Sequence, residues 1–318
     1  MSRRQQKSDR GGNALQIIIL AVIAILVIAI VVMIKKWNKG TESDYNPDEV
    51  TTEFDTEPND YILPLSAGQV EGKTDDGVLT ILTLGNSPFA DDYDHNNLAG
   101  ALAAQYDATV INGGIEGSYI TCKNTEYSDD AAEDGVSLPH VADALATGNF
   151  DIPVRAAESV SEQAVAAVDK LKNVDMSSVD AIFVMYDLED YVDHRPLGSE
   201  SETDVTCIYG AVKVSLDALR KAYPYIRVVY LSQPASGKTI DDFFVDGDVH
   251  NIGEGLLSDY VTFELSAAAS ASASFVDIYY GAVNVDQRQD YIVNDYHLND
   301  AGAAAVADRV HKLIELEP

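Results

Sequence analysis

Val78-Leu79-Thr80-Ile81-Leu82-Thr83-Leu84 is an uncharged, aliphatic and β-branched run that stops at Gly85-Asn86-Ser87. A run of this kind suits a strand covered on both faces. Four further β-type runs follow, at Ala108–Ile111, Ala181–Tyr186, Ile226–Leu231 and Phe275–Tyr280. Helix-period stretches lie at Leu98–Tyr106, Val141–Thr147, Ala156–Leu171, Val205–Ala222, Leu256–Ala273 and Ala301–Leu316. Strands alternating with helices predict βαβ units, and so a parallel sheet with helices on both faces. In such a sheet a ligand site lies beyond the carboxyl ends of the strands.

Upstream of this region the chain changes character. From Ile17 to Ile34 every residue is apolar, and no charge occurs between Arg10 and Lys35. That length suits a hydrocarbon core about 30 Å thick. It is too long for the apolar core of a cleaved signal peptide, and no small-residue cleavage site follows it. The expected organisation is a basic cytoplasmic arm over 1–14, a transmembrane signal anchor over 15–36, an acidic flexible linker over 37–76 and a folded domain over 77–318. The domain is expected outside the cell, because long domains translocate largely regardless of charge. The linker is rich in Asp, Glu, Thr, Asn and Pro, the composition of a self-repelling tether.

The full chain of 318 residues has a formal charge of −31. Residues 1–39 hold seven Lys/Arg and one acid, so the other 279 residues carry 14 basic and 51 acidic side chains. Such a surface repels phosphate backbones and excludes nucleic acid as a partner of the domain. Two cysteines, Cys122 and Cys207, are too few for a disulfide scaffold; a single bridge and two buried thiols are equally open.

The chemistry-bearing residues gather at the strand ends. Gly85-Asn86-Ser87 follows the first strand, Asn112-Gly113-Gly114-Ile115-Glu116-Gly117 the second, and Asp187-Leu188-Glu189-Asp190 the third. Asn294-Asp295-Tyr296-His297-Leu298-Asn299-Asp300-Ala301-Gly302 precedes the last helix. A serine after the first strand and a histidine before the last helix can meet above the sheet. An imidazole that takes the hydroxyl proton, oriented by a nearby acid, activates a serine nucleophile.

In the order and spacing of these four blocks, over roughly residues 76–312, the chain resembles the SGNH (GDSL-type) hydrolases. The resemblance implies a three-layer α/β/α sandwich with a five-stranded parallel sheet, flavodoxin-like, and ester hydrolysis without metal or organic cofactor. It implies Ser87 as nucleophile, His297 as base, Asp295 as the acid in place of the usual residue at Asn294, and oxyanion donors at Ser87, Gly117 and Glu189. The family has asparagine where this chain has Glu189. An ionised glutamate has no proton to donate and would repel an oxyanion, so it contributes only if burial keeps it protonated. The expected function is a membrane-tethered esterase or acyl hydrolase outside the cell, acting on an ester-bearing small molecule or surface glycan. The alternative is a non-catalytic surface-binding protein of the same fold with a degraded oxyanion hole.

Two other signals are weaker. Ser232 to Thr239 half-matches a phosphate-binding loop but lacks its first glycine. Asp91, Asp92, Asp94, His95 and Asn96 offer hard ligands but lack the glycine and distal glutamate of a calcium loop.

Overall fold

The computed structural model describes residues 57–72, 76–90 and 97–317, with seven more residues between 22 and 33. The chain divides into two compact units, Met1–Asp55 and Thr56–Pro318. In the first, Val22, Ile23, Leu26, Val27, Ile28, Ile30 and Met33 are helical and exposed. Among the described residues no helix is long and apolar enough to cross a membrane. The arm over 1–14 and most of the anchor over 15–36 lie outside the described residues, as does the acidic loop 91–96.

The second unit is built on a five-stranded sheet. Its strands are β1 (Thr80–Gly85), β2 (Thr109–Gly114), β3 (Ala181–Met185), β4 (Arg227–Leu231) and the later β7 (Ser274–Val276), in the order β2-β1-β3-β4-β7. Every pairing is parallel. Alternate side chains serve opposite faces, as the strand period requires. Leu82, Leu84, Ile182, Val184, Val228 and Tyr230 enter one apolar cluster. Ile81, Phe183, Met185, Val229, Leu231 and Val276 enter the other. Helices α2 (Leu138–Thr147), α3 (Asp151–Val160), α4 (Glu162–Lys172), α5 (Ile208–Ala222) and α6 (Leu257–Ser270) cover the first face. Helices α1 (Leu98–Tyr106) and α7 (Asp300–Leu313) cover the second. The result is the expected α/β sandwich of three layers.

Local signals set the boundaries. The helix expected over Ala156–Leu171 is two helices, because Ser161 is extended (φ −165°, ψ 163°) and its side chain accepts from the Ala164 amide. That is an N-cap, which starts a new helix. Asn97 and Asn299 cap α1 and α7 in the same way. The strand expected over Phe275–Tyr280 ends at Val276. There Asp277 accepts from the Tyr280 amide and opens a helical turn, Ile278–Gly281. The segment resembling a phosphate loop runs instead into an antiparallel hairpin, β5 (Gly237–Ile240) and β6 (Phe243–Asp246). No helix N-terminus follows Lys238, so the cradle that such a loop needs is not formed.

Within the stretch expected as a flexible linker, 37–76, the described residues 57–72 pack against the domain. Tyr61 exchanges two backbone hydrogen bonds with Phe275, at 2.9 and 2.7 Å, and so covers the exposed edge of β7. Asp60 pairs with Arg309 at 2.6 Å and accepts from the Asp277 amide at 2.9 Å. Ser66 begins a short helix, Ala67–Val70, whose Gln69 donates to the Pro224 carbonyl at 2.9 Å. An unpaired edge strand is a liability that this strap removes. A chain that starts at residue 76 should therefore melt below one that starts at residue 57. The lost hydrogen bonds and ion pair are worth roughly 1–3 kcal/mol, or about 2–10 °C by calorimetry.

Candidate active site

The strand order reverses direction between β1 and β3, and the loops that leave their carboxyl ends diverge there. Sheets of this order bind ligands at that crevice. At its floor Gly85 of β1 pairs with Met185 of β3. A Cβ on Gly85 would lie 1.8 Å from the Met185 carbonyl oxygen, so only glycine fits.

Asn86 comes next and is buried. Its Nδ2 donates to Asp187 Oδ1 at 2.7 Å and to the Ser118 carbonyl at 3.2 Å, and its Oδ1 accepts from the Asp187 amide at 2.9 Å. One side chain thus joins the loops after β1, β2 and β3. An aspartate here would bring a second carboxylate against Asp187.

Ser87 opens a short helical turn, Ser87–Ala90, and is nearly buried. Its hydroxyl donates to Asp187 Oδ2. The strand-end run pointed to Asp187 without assigning it a role; only the pairing of β1 with β3 places it on the serine. The Asp187 carboxyl is pushed up to about 6. Burial is the main cause; the Ser87 hydrogen bond opposes it, Glu189 adds to it, and His297 and Asn86 oppose it.

The turn Ile115 to Ser118 is closed by Ser118 N–H on the Ile115 carbonyl at 3.2 Å, and Asn86 holds it beside Ser87. Gly117 supplies the positive φ of +69° that the turn requires. Neither the Ser87 nor the Gly117 amide donates to an acceptor among the described residues. Two unspent N–H groups flanking a serine can hold an oxyanion.

His297 begins β9 (His297–Leu298), which pairs with β8 (Ile292–Val293). It stacks on Tyr296 with ring centroids 4.8 Å apart and acts electrostatically on Asp187. The structure therefore brings Ser87 and His297 to one place. It takes Asp295 elsewhere. Asn294 and Asp295 both adopt left-handed conformations (φ 48° and 75°) in the turn between β8 and β9. Asp295 Oδ2 accepts from the Thr239 amide at 2.9 Å, and Oδ1 from the Thr239 hydroxyl at 2.6 Å. Its carboxylate thus fastens the β5–β6 hairpin, which is not the imidazole-orienting contact expected of it.

Glu189 lies half-buried in the helical turn Glu189–Val192, and its Oε1 accepts from the Tyr296 hydroxyl at 3.2 Å. Burial, then the Glu189 and Asp187 charges, pushes Tyr296 up, which keeps that hydroxyl protonated. Glu189 is thus an acceptor in this arrangement. The next residue, Asp190, is structural: it accepts from the Ile120 and Thr121 amides and the Thr121 hydroxyl at 2.7, 3.0 and 2.7 Å. Cys122 and Cys207 are free and buried, and burial pushes the Cys122 thiol up to about 12.

No family model matches the chain, and no curated protein matches it. Solved structures do. One crystal structure is 21% identical over 75% of this chain and 97% of its own, with a TM-score of 0.52. A protein from Lactobacillus plantarum is 21% identical over 74% of this chain and 95% of its own, with a TM-score of 0.50. A carbohydrate acetylesterase from Sinorhizobium meliloti is 13% identical over 74% of this chain and 100% of its own, with a TM-score of 0.42. The first two likenesses are of fold alone.

The Asn86–Asp187 bracket can be tested by stability. Asp187 has a folded pKa above its unfolded value, so its ionisation destabilises the fold as pH rises from about 4 through about 6. Asp187→Asn should reduce that slope without abolishing it, because burial pushes Asp190 up to about 6 as well. Asn86→Asp should cost roughly 2–4 kcal/mol at pH 8 and less at pH 5, from denaturant unfolding. The double variant Asn86→Asp/Asp187→Asn should recover most of the loss, because one amide then again faces one carboxylate.

Proposed function

We propose that this protein is a serine acyl hydrolase that cleaves a carboxylic ester, with Ser87 as nucleophile. The observation that carries the reading is the position of Ser87 at the β1/β3 crevice beside two unspent amides, its own and that of Gly117. The ester carbonyl oxygen would point at these amides, and its developing charge would be held there. His297 supplies the imidazole of such a site. A small acyl group such as acetyl, carried by a surface polysaccharide or a small molecule, is the substrate this reading favours. The apolar run from Ile17 to Ile34 supports a membrane tether, with the acidic domain outside the cell.

A second reading has one observation in its favour. Glu189 stands where the family places an amide donor, and here it accepts a hydrogen bond from Tyr296. On that reading the chain is a binding protein that has kept the fold. Fluorophosphonate labelling separates the two without a guess at the substrate. The esterase reading expects the full-length protein to label and Ser87→Ala to remain unlabelled. A folded wild type that stays unlabelled from pH 5 to 9 would leave the binding protein. Gly117→Ala should slow labelling about 10- to 1,000-fold, because the positive φ and the amide placed by it are both disturbed.

A further inference from the structure

We propose that Asp187, rather than His297, is the base that takes the Ser87 proton, with Asn86 as the residue that aims it. The proposal rests on the reading of Ser87 as a nucleophile. Its ground is the distribution of hydrogen bonds on one carboxylate. Oδ1 is occupied by Asn86 Nδ2 at 2.7 Å and by the Glu189 amide at 3.2 Å. Oδ2 receives the Ser87 hydroxyl. The Asp187 backbone is also fixed, through its amide on Asn86 Oδ1 at 2.9 Å. With its side chain and main chain both held by Asn86, the carboxylate has one oxygen left for the serine. Geometry of this kind needs no reorganisation when the proton moves.

Position and environment agree with the role. Asp187 stands two residues beyond Met185, the residue of β3 that approaches Gly85 most closely, so its side chain reaches across to the end of β1. It is 1% exposed, which keeps bulk water from competing for the serine proton. The charged groups that face it are Glu189, from the turn after β3, and His297, from β9. Glu189 makes the carboxylate more basic, and His297 helps to keep it ionised. A carboxylate pushed up to about 6 is ionised at neutral pH and still basic enough to share a proton in a transition state. The SGNH resemblance places a glycine at this position, so the carboxylate belongs to this chain and not to the general pattern.

The proton can be followed through a full turnover. Ser87 Oγ bonds to the ester carbonyl carbon as its proton passes to Asp187 Oδ2. The bond from that carbon to the alcohol oxygen then breaks, the proton on Asp187 goes to the departing oxygen, and the acyl group remains on Ser87. Water adds to the acyl carbon and gives a proton to Asp187. The bond to Ser87 Oγ breaks, Oγ recovers that proton, and the carboxylic acid leaves. No oxidant, metal or further reactant is consumed.

The test uses the full-length protein and fluorophosphonate labelling rates across pH 5–9. Asp187→Asn should slow labelling at pH 7.5 by about 10²–10⁴-fold and remove the inflection near pH 6. Asp187→Gly, which restores the residue of the resemblance, should do the same if the amide variant folds poorly. His297→Gln should keep the inflection. Loss of labelling in His297→Gln with near-wild-type labelling in either Asp187 variant would overturn the proposal. A second readout does not depend on labelling. With ¹³C-labelled aspartate, the carboxyl signal absent from Asp187→Asn should titrate near pH 6 in the wild type and at higher pH in Ser87→Ala. Titration as expected in an unlabelled wild type would overturn the nucleophile reading, and the base with it. Labelling without that response to Ser87→Ala would overturn the base alone.

Discussion

The arrangement at the crevice depends on the amide of Asn86. Three loops leave the carboxyl ends of β1, β2 and β3, and Asn86 bonds to each of the other two while belonging to the first. A carboxamide can do this because it both donates and accepts. A carboxylate of the same shape could not donate to Asp187. The glycine before it lies where a Cβ would run into the Met185 carbonyl of β3. Ser87, the Gly117 turn and Asp187 take their places from that bracket.

Burying carboxylates in a chain this acidic demands a local solution for each one. Asp190 is surrounded by three donors and ties down the loop after Ser118. Glu264 is fully buried and receives the Tyr230 hydroxyl at 3.2 Å; burial pushes its carboxyl well up, which favours the neutral form. Asp187 is buried as deeply as Asp190. Its donors are a side-chain amide, a backbone amide and the serine hydroxyl, and Glu189 works against its charge. Burial pushes Asp187 and Asp190 alike up to about 6, and it is Asp187 that receives the Ser87 hydroxyl.

Much of the fold is legible in the sequence. Runs rich in aliphatic and β-branched residues mark β1, β3 and β4 because both faces of a parallel strand are buried, and that pattern survives in a single sequence. Helix α1 was placed at its observed bounds. The errors fell where one local interaction outweighs periodicity. Ser161 splits a long amphipathic stretch by capping, and Asp277 stops β7 by starting a helical turn. The composition of residues 37–76 suits a tether, yet backbone pairing of Tyr61 with Phe275 docks part of that stretch. Composition carries no record of a backbone partner more than 200 residues away.

The site divides along the same line. The sequence alone determined that a serine, a glycine turn and a histidine stand at strand ends or just before the last helix, because strand and helix patterns are local. It does not determine which carboxylate receives the serine hydroxyl. Asp295 is two residues from His297 along the chain, but its left-handed turn sends the carboxylate to Thr239. Asp187 is 100 residues from Ser87, and parallel pairing of β1 with β3 sets it against the hydroxyl. Hydrogen-bond partners are chosen by position in space, and position across a sheet is fixed only when the strands have paired.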